Sequence, residues 1–207
     1  MAPRGRPRAF DRDNALNNAL ALFWERGYDN TSMADLSAAM ALSPPSIYAA
    51  FGSKETLFDE VITHYTKHHG ASIWENLERF KLASEATRHV LIASAHAFTR
   101  DDTPHGCLVV LAAPQAESNH ATVNQTLRGH RRQVTEILKN LYEAGLDRGD
   151  IPRGTNIDKM ANYYATVQHG MSIQARDGAT RDELIAVAEA AMATWPVLIS
   201  TTSSVEA

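Results

Sequence analysis

The sequence is poor in cysteine: Cys107 is the only one in 207 residues. A single thiol excludes an intramolecular disulfide framework, and a reducing cytoplasm is the expected setting. Long apolar runs are missing too. None reaches the ~18 residues of a membrane span, so no membrane role is expected. The first ten residues, MAPRGRPRAF, contain no acidic residue and lack the apolar centre of a secretory signal. No segment shows convincing strand alternation, and there is no internal repeat. Metal-ligand spacing is also lacking. His64 and His68 stand four apart with His69 beside them, but no cysteine or carboxylate lies at companion spacing, so neither a metal nor a cofactor is expected.

Helical periodicity is abundant. Hydrophobic residues at 44% and charged residues at 21% describe an ordinary globular chain. Leu16, Ala19, Leu20 and Phe23 keep helical phase up to Gly27, a natural stop. Thr31 or Ser32 can cap a short helix carrying Met33, Leu36 and Met40. A helix opened by Ser53 carries Leu57, Phe58, Val61, Ile62 and Tyr65. Further helices are expected over 84–100, 106–113 and 119–148. A capping-box-like pair, Thr155 and Asp158, is expected to start another, and the box Thr180 and Glu183 a last one running to Trp195. The chain is therefore expected to be all-α: a basic arm over 1–9, four short-to-medium helices to about residue 70, and then a bundle of longer ones. Met160, Met171, Leu184, Met192 and Trp195 on the final two helices either close the core or meet a second subunit.

The stretch LSPPSIYAAFGSK, Leu42 to Lys54, is the most informative. Prolines suit a first helical turn, whose N–H groups have no intrahelical partner. Pro45 disfavours α geometry at Pro44, so the helix is expected to begin at Pro45. Ile47 and Phe51 face inward together and Gly52 ends it. So short a helix persists only when its neighbours clamp it, and a short helix held rigidly after a tight turn can enter a DNA major groove. Lys54 at the first position of the next helix opposes the helix dipole unless an external anion is bound there. An ammonium, a dipole end and free N–H groups together make a phosphate site.

Residues 10–65 resemble the DNA-binding domain of the TetR/AcrR family of transcriptional regulators. The resemblance rests on ALFWERGYDNTSMADLSAAM followed by LSPPSIYAAFGSKETLF. It implies a helix-turn-helix DNA-binding head over 10–55, a helical ligand-binding and dimerisation bundle over 56–207, and a homodimeric repressor that a small molecule releases from operator DNA, not an enzyme. The DNA-contacting residues it implies are Arg4, Arg6 and Arg8 of the arm with Thr31, Ser32, Ser43, Pro44, Pro45, Ser46, Tyr48 and Lys54. The dimer is expected through residues 156–176 and 181–198. Two positions depart from the pattern. Ala41 stands where the turn usually has glycine. Ala49 and Ala50 offer base edges only methyl groups. Outside the arm the head is acidic: Arg12, Arg26 and Lys54 face Asp11, Asp13, Glu25, Asp29, Asp35 and Glu55 across residues 11–55.

For the effector, Trp74, His96, Phe98, Cys107, Tyr164 and Gln168 are the expected pocket residues, with Tyr164 and Gln168 four apart on one helix face. Tyr163, Met171 and Trp195 are further apolar candidates, and Asn162 and His169 further polar ones. Cys107 is expected at a helix start, where a dipole lowers a thiol pKa. It could sense electrophiles in such a repressor, or with His105 serve a thiol-dependent enzyme. A DNA-binding architectural protein without an effector is the remaining alternative.

Overall fold

The computed structural model describes residues 11–112 and 120–200, and among them there are helices and no strand. Arg4, Arg6, Arg8 and the Ala113 end of one expected helix lie outside the described residues.

Four helices make the first unit: α1 (Arg12–Arg26), α2 (Met33–Met40), α3 (Pro44–Phe51) and α4 (Lys54–His68). Each begins on a side-chain cap, from Asp11, Ser32, Ser43 and Ser53 respectively. These oxygens satisfy amides that a helix start leaves without partners. Ser32 and Asp35 cap reciprocally. The inward residues Leu20, Phe23, Leu36, Ile47, Phe51 and Phe58 share one apolar core. Helix α3 begins at Pro44, one residue earlier than expected. Ser43 is extended at φ −69°, ψ 150°, and its hydroxyl accepts from Ser46 N at 3.3 Å. That backbone is what a residue before proline prefers and what an N-cap needs, so both constraints are met one position upstream. Ala41 takes the left-handed conformation, φ 53°, which costs about 1–2 kcal/mol without glycine.

The second unit holds α5 (Ala71–Trp74), a 3-10 turn at Leu77–Arg79, α6 (Ala83–Phe98), α7 (Leu108–Leu111), α8 (Ala121–Arg148), α9 (Ile157–Arg176), α10 (Arg181–Met192) and α11 (Trp195–Leu198). Helices α6, α8, α9 and α10 pack on one another around a second core. Helix α9 is capped by Asn156, whose side chain accepts from Lys159 N, and not by Thr155, whose hydroxyl is donated to Pro152 O at 2.7 Å. With the cap at Asn156 the third helical position is Lys159 and not Asp158, so the expected box does not form, and Asp158 pairs with Lys139. Thr180 and Glu183 do form their box. The last helix stops at Met192, and a separate turn begins at Trp195 with Pro196 in its first positions. Met160, Met171, Leu184 and Trp195 are buried within the single chain, so they close its own core, while Met192 is half-buried.

The two units are joined by α4 and by residues 105–112, the short loop that leads into α7 together with α7 itself. The Trp24 indole donates to Gly106 O at 3.1 Å, and Tyr28 N to Ala112 O at 2.9 Å. From the other side, Ser172 Oγ accepts from Cys107 N at 2.8 Å. The Arg176 guanidinium reaches His105 O, Glu25 O and Trp24 O at 2.8, 3.1 and 2.8 Å. It thereby takes carbonyls that the C-terminus of α1 leaves open. Gly106 is required here: φ is +79°, and a Cβ would meet Ser172 O at 2.6 Å.

Candidate functional site

One candidate surface is built by α3. Ser43, Pro44, Pro45, Ser46, Tyr48 and Ala49 are exposed, Tyr48 by 49%, whereas Ile47 and Phe51 anchor the helix in the core. Ser43 and Ser46 share a hydroxyl contact of 2.8 Å at the leading edge. Thr31 stands apart from this surface. It is fully buried and donates to Gly27 O at 2.7 Å, so its role here is to close the turn after α1. Ser32 is the cap of α2, with its hydroxyl already engaged by Asp35.

Lys54 stands at the first position of α4, as expected, but it is not a solvated lysine. Its Nζ donates to Tyr28 O at 2.8 Å and lies 4.1 Å from the centre of the Tyr28 ring. Burial pushes the ammonium below its ordinary pKa, and Asp29, Glu55 and Asp35 oppose that. Glu55 occupies the same helix start. Its own N–H and the Ser53 hydroxyl hold its carboxyl below the usual range. An incoming phosphate therefore shares this site with an internal carboxylate. The head's other described basic residues are already paired, Arg12 with Glu60 at 2.6 Å and Arg26 with Asp35 at 3.4 Å.

The second candidate site is a cavity of about 290 Å³ between α4, α5, α6, α7, α8 and α9. Trp74, Phe98, Cys107 and Gln168 line it, together with His169. Two of the residues expected there are elsewhere. His96 lies on a separate groove with His89, Arg100 and Arg181. Tyr164 is fully buried against Trp195, ring centres 5.8 Å apart, with its hydroxyl directed to Ala191 O at 3.4 Å. Four residues along a helix keep a common face but advance about 6 Å, and the cavity spans only the Gln168 level of α9. Asn162 is exposed, and Met171 and Trp195 belong to the core. Tyr65, Val110, His130, Val134 and Ile137 also line it, with Thr66, Ile73, Glu75, Val109 and Gln133 among the rest of the wall. Tyr65, Val134 and Ile137 carry the ordinary signal of an apolar stripe. His130 stands in a polar run, TLRGHRRQ, that marks no inward position.

Cys107 faces the cavity, but its thiol is not activated. Burial pushes it above its ordinary pKa, although the Tyr65 hydroxyl and the backbone at Val110 favour the thiolate. The expected dipole effect fails because the helix behind it, α7, has only four residues. His105 is exposed and no hydrogen bond joins it to Cys107 among the described residues. The His64 and His68 rings lie 4.4 Å apart, and His64 contacts Asn17 Oδ1 at 2.8 Å. No group of three or more potential metal ligands occurs among the described residues. None of the described helices is long and apolar enough to cross a membrane.

Comparison with known proteins bears on both sites. Residues 15–61 match the family model for bacterial regulatory proteins of the tetR family. Residues 87–190 match a tetracyclin repressor-like C-terminal domain. The HTH-type transcriptional repressor ComR of Escherichia coli K12 is 33% identical over 95% of this chain and 94% of its own. The repressor BdcR of the same strain is 27% identical over 89% and 88%. Among solved structures, a cysteine mutant of the TetR family regulator CifR, complexed with 26-base-pair double-strand operator DNA, is 42% identical. That likeness covers 92% of this chain and 100% of CifR, with a TM-score of 0.88.

Proposed function

Because the chain belongs to the TetR family of bacterial regulatory proteins, we propose that it is a homodimeric transcriptional repressor, working in the cytoplasm, that leaves its operator when a small molecule fills the cavity. The observation that carries the DNA side is α3. Its outer face is exposed while Ile47 and Phe51 hold it in the core, which makes a pre-organised probe for a major groove. In this reading residues 10–55 dock on DNA, and Tyr48 and Lys54 meet the sugar-phosphate backbone on either side of the probe. Arg4, Arg6 and Arg8 supply the charge that the acidic head lacks, in the minor groove. Residues 56–207 bind the effector and the second subunit. The outward face of α9 and α10 suits that subunit: Ile173 and Val187 are exposed by 47% and 44%, and no atom stands within 4 Å of a Cβ built on Gly170. Two heads then meet half-sites roughly 34–36 Å apart.

The cavity lies against Tyr65 and Thr66 of α4 and against Cys107 and Val109 of the 105–112 segment, the two connections to the head. A ligand that prefers the released arrangement by about 1–3 kcal/mol shifts operator affinity by a factor of about 5–150. A second reading of the effector rests on Cys107, which lines the cavity: an electrophile that enters becomes covalently held there. Intact-protein mass spectrometry after limiting treatment, with Cys107→Ser as control, separates the two; an unmodified thiol ends the covalent version. Nothing about Cys107 and His105 favours an enzyme.

Selection of bound genomic fragments by the purified protein tests the DNA role, and no preference for any duplex at low salt would refute it. On the selected site, Lys54→Ala and Arg6→Ala are each expected to flatten the slope of log K against log salt by about one unit. An unchanged slope removes that residue from the interface.

A further inference from the structure

The hydrogen-bond pattern at Gln168 restricts what the cavity can hold. Ser94 of α6 donates its hydroxyl proton to Val90 O at 2.7 Å. Its oxygen is left as an acceptor and lies 3.0 Å from Gln168 Nε2. A serine hydroxyl has one proton, so the amide group facing it must be the donor. Gln168 Oε1 is therefore turned away from Ser94. The residue is 4% exposed and forms part of the cavity wall, and among the described residues nothing donates to that oxygen. That oxygen stays open to the cavity and is not among the fully buried side-chain atoms without a partner, so a ligand that covers it must bring a donor or leave a desolvated acceptor unpaired.

The rest of the wall narrows the class. Ile73, Trp74, Phe98, Val110, Val134 and Ile137 surround an apolar body. The Tyr65 hydroxyl lies beside the Cys107 thiol and the Leu108 backbone. Glu75, exposed at the edge, is the only lining residue with a formal charge at neutral pH. Burial lowers both His130 and His169, with Arg131 adding to the effect on His169 and Asp59 opposing it on His130, so the imidazoles are neutral. Arg131 itself is not part of the wall and donates to Val109 O at 2.9 Å. A carboxylate would enter without a counter-charge in the wall.

We propose that the cavity selects small uncharged molecules with an apolar body and a hydroxyl group, apolar alcohols or phenols, whose O–H is donated to Gln168 Oε1. This rests on reading the cavity as the effector site. Three probes of one shape test it on the purified full-length protein at pH 8: 3-phenylpropan-1-ol, its methyl ether, and 3-phenylpropanoate. Calorimetry and tryptophan emission report binding. The alcohol is expected to bind at least about tenfold more tightly than either of the others, because only it satisfies the acceptor. In Gln168→Met, with its fold checked by thermal unfolding, the alcohol and the ether are expected to differ by less than about threefold. An ether or carboxylate that binds wild type as well as the alcohol overturns the proposal. So does an alcohol that fails to bind at about 10 mM, or a preference that survives in a folded Gln168→Met. If that variant does not fold, the wild-type ranking decides alone. Operator occupancy is read separately. An alcohol that binds with this preference and leaves the operator occupied supports the ligand class and refutes effector release.

Discussion

In the head, α3 sets Ile47 and Phe51 inside, half-buries Ala50 and turns the rest of its short length outward. In the body, α9 has Tyr164 and Met171 in the core, Gln168 on the cavity and Ile173 in the open. The head is built from capped helices on one core, which Leu108 and Val109 of α7 and Val123 and Leu127 of α8 help to close, and its exposed residues follow from local geometry. The body surrounds a void, and its residues acquire roles from which neighbour reaches them. A recognition element gains from rigidity because docking then orders little. An effector site must leave space and unmet hydrogen bonds for something else to supply.

The joint between the two regions is where that comparison is most easily broken. Gly106→Ala would drive a methyl group into Ser172 O in a left-handed backbone, so a stability loss of about 3 kcal/mol is expected by urea titration. Wild-type stability in that variant would mean that 105–112 does not clamp head to body. Arg176→Ala removes three hydrogen bonds to carbonyls of α1 and the 105 loop. A loss of about 2 kcal/mol is expected, with the head becoming cleavable by protease before the body. Equal cleavage rates in both regions would show that another contact carries the joint.

Inside the head the expected change has the opposite sign. Ala41→Gly relieves φ 53° and should raise stability by about 1 kcal/mol, measured as a higher urea midpoint with an unchanged slope. A decrease would mean that the turn draws compensation from the Ala41 methyl. The smallest effect is a pH dependence centred on the body and its border. Burial depresses His69, His130 and His169 below the ordinary value of 6.5. The unfolded chain then binds protons that the folded chain refuses, so stability is complete above about pH 6.5 and falls as the solution is acidified. Urea midpoints that stay level from pH 7.5 to 5.5 would contradict this. His130→Gln and His169→Gln should each reduce the slope.

Much of the head was legible before any coordinates. Ser53 is readable as a cap, and Ser32 as one of two candidates with Thr31, because a hydroxyl reaches an amide three residues ahead, and Gly27 and Gly52 are readable as stops. Ile47 and Phe51 were legible as an inward pair for the same local reason. The one-residue error at Pro44 came from weighing the proline–proline preference without the serine cap that offsets it. The body was less legible. Its helices were found to within a few residues, but α5, the turn at Leu77–Arg79 and the break before Pro196 are too short to carry a period. Tyr164 and Gln168 share a face, and periodicity gives no means to tell the core level of that face from the cavity level.

Local chemistry, acting over three or four residues, specifies where these helices start, stop and turn their apolar sides, and hence a head that presents α3. Contacts between residues far apart along the chain decide the rest. Ser94 and Gln168 meet across α6 and α9, Lys54 settles on Tyr28, Cys107 gains a buried wall in place of a helix dipole, and Arg176 ties α9 to α1. No pattern of neighbours in the chain encodes these encounters, because each depends on how whole helices cross and on the volume left between them.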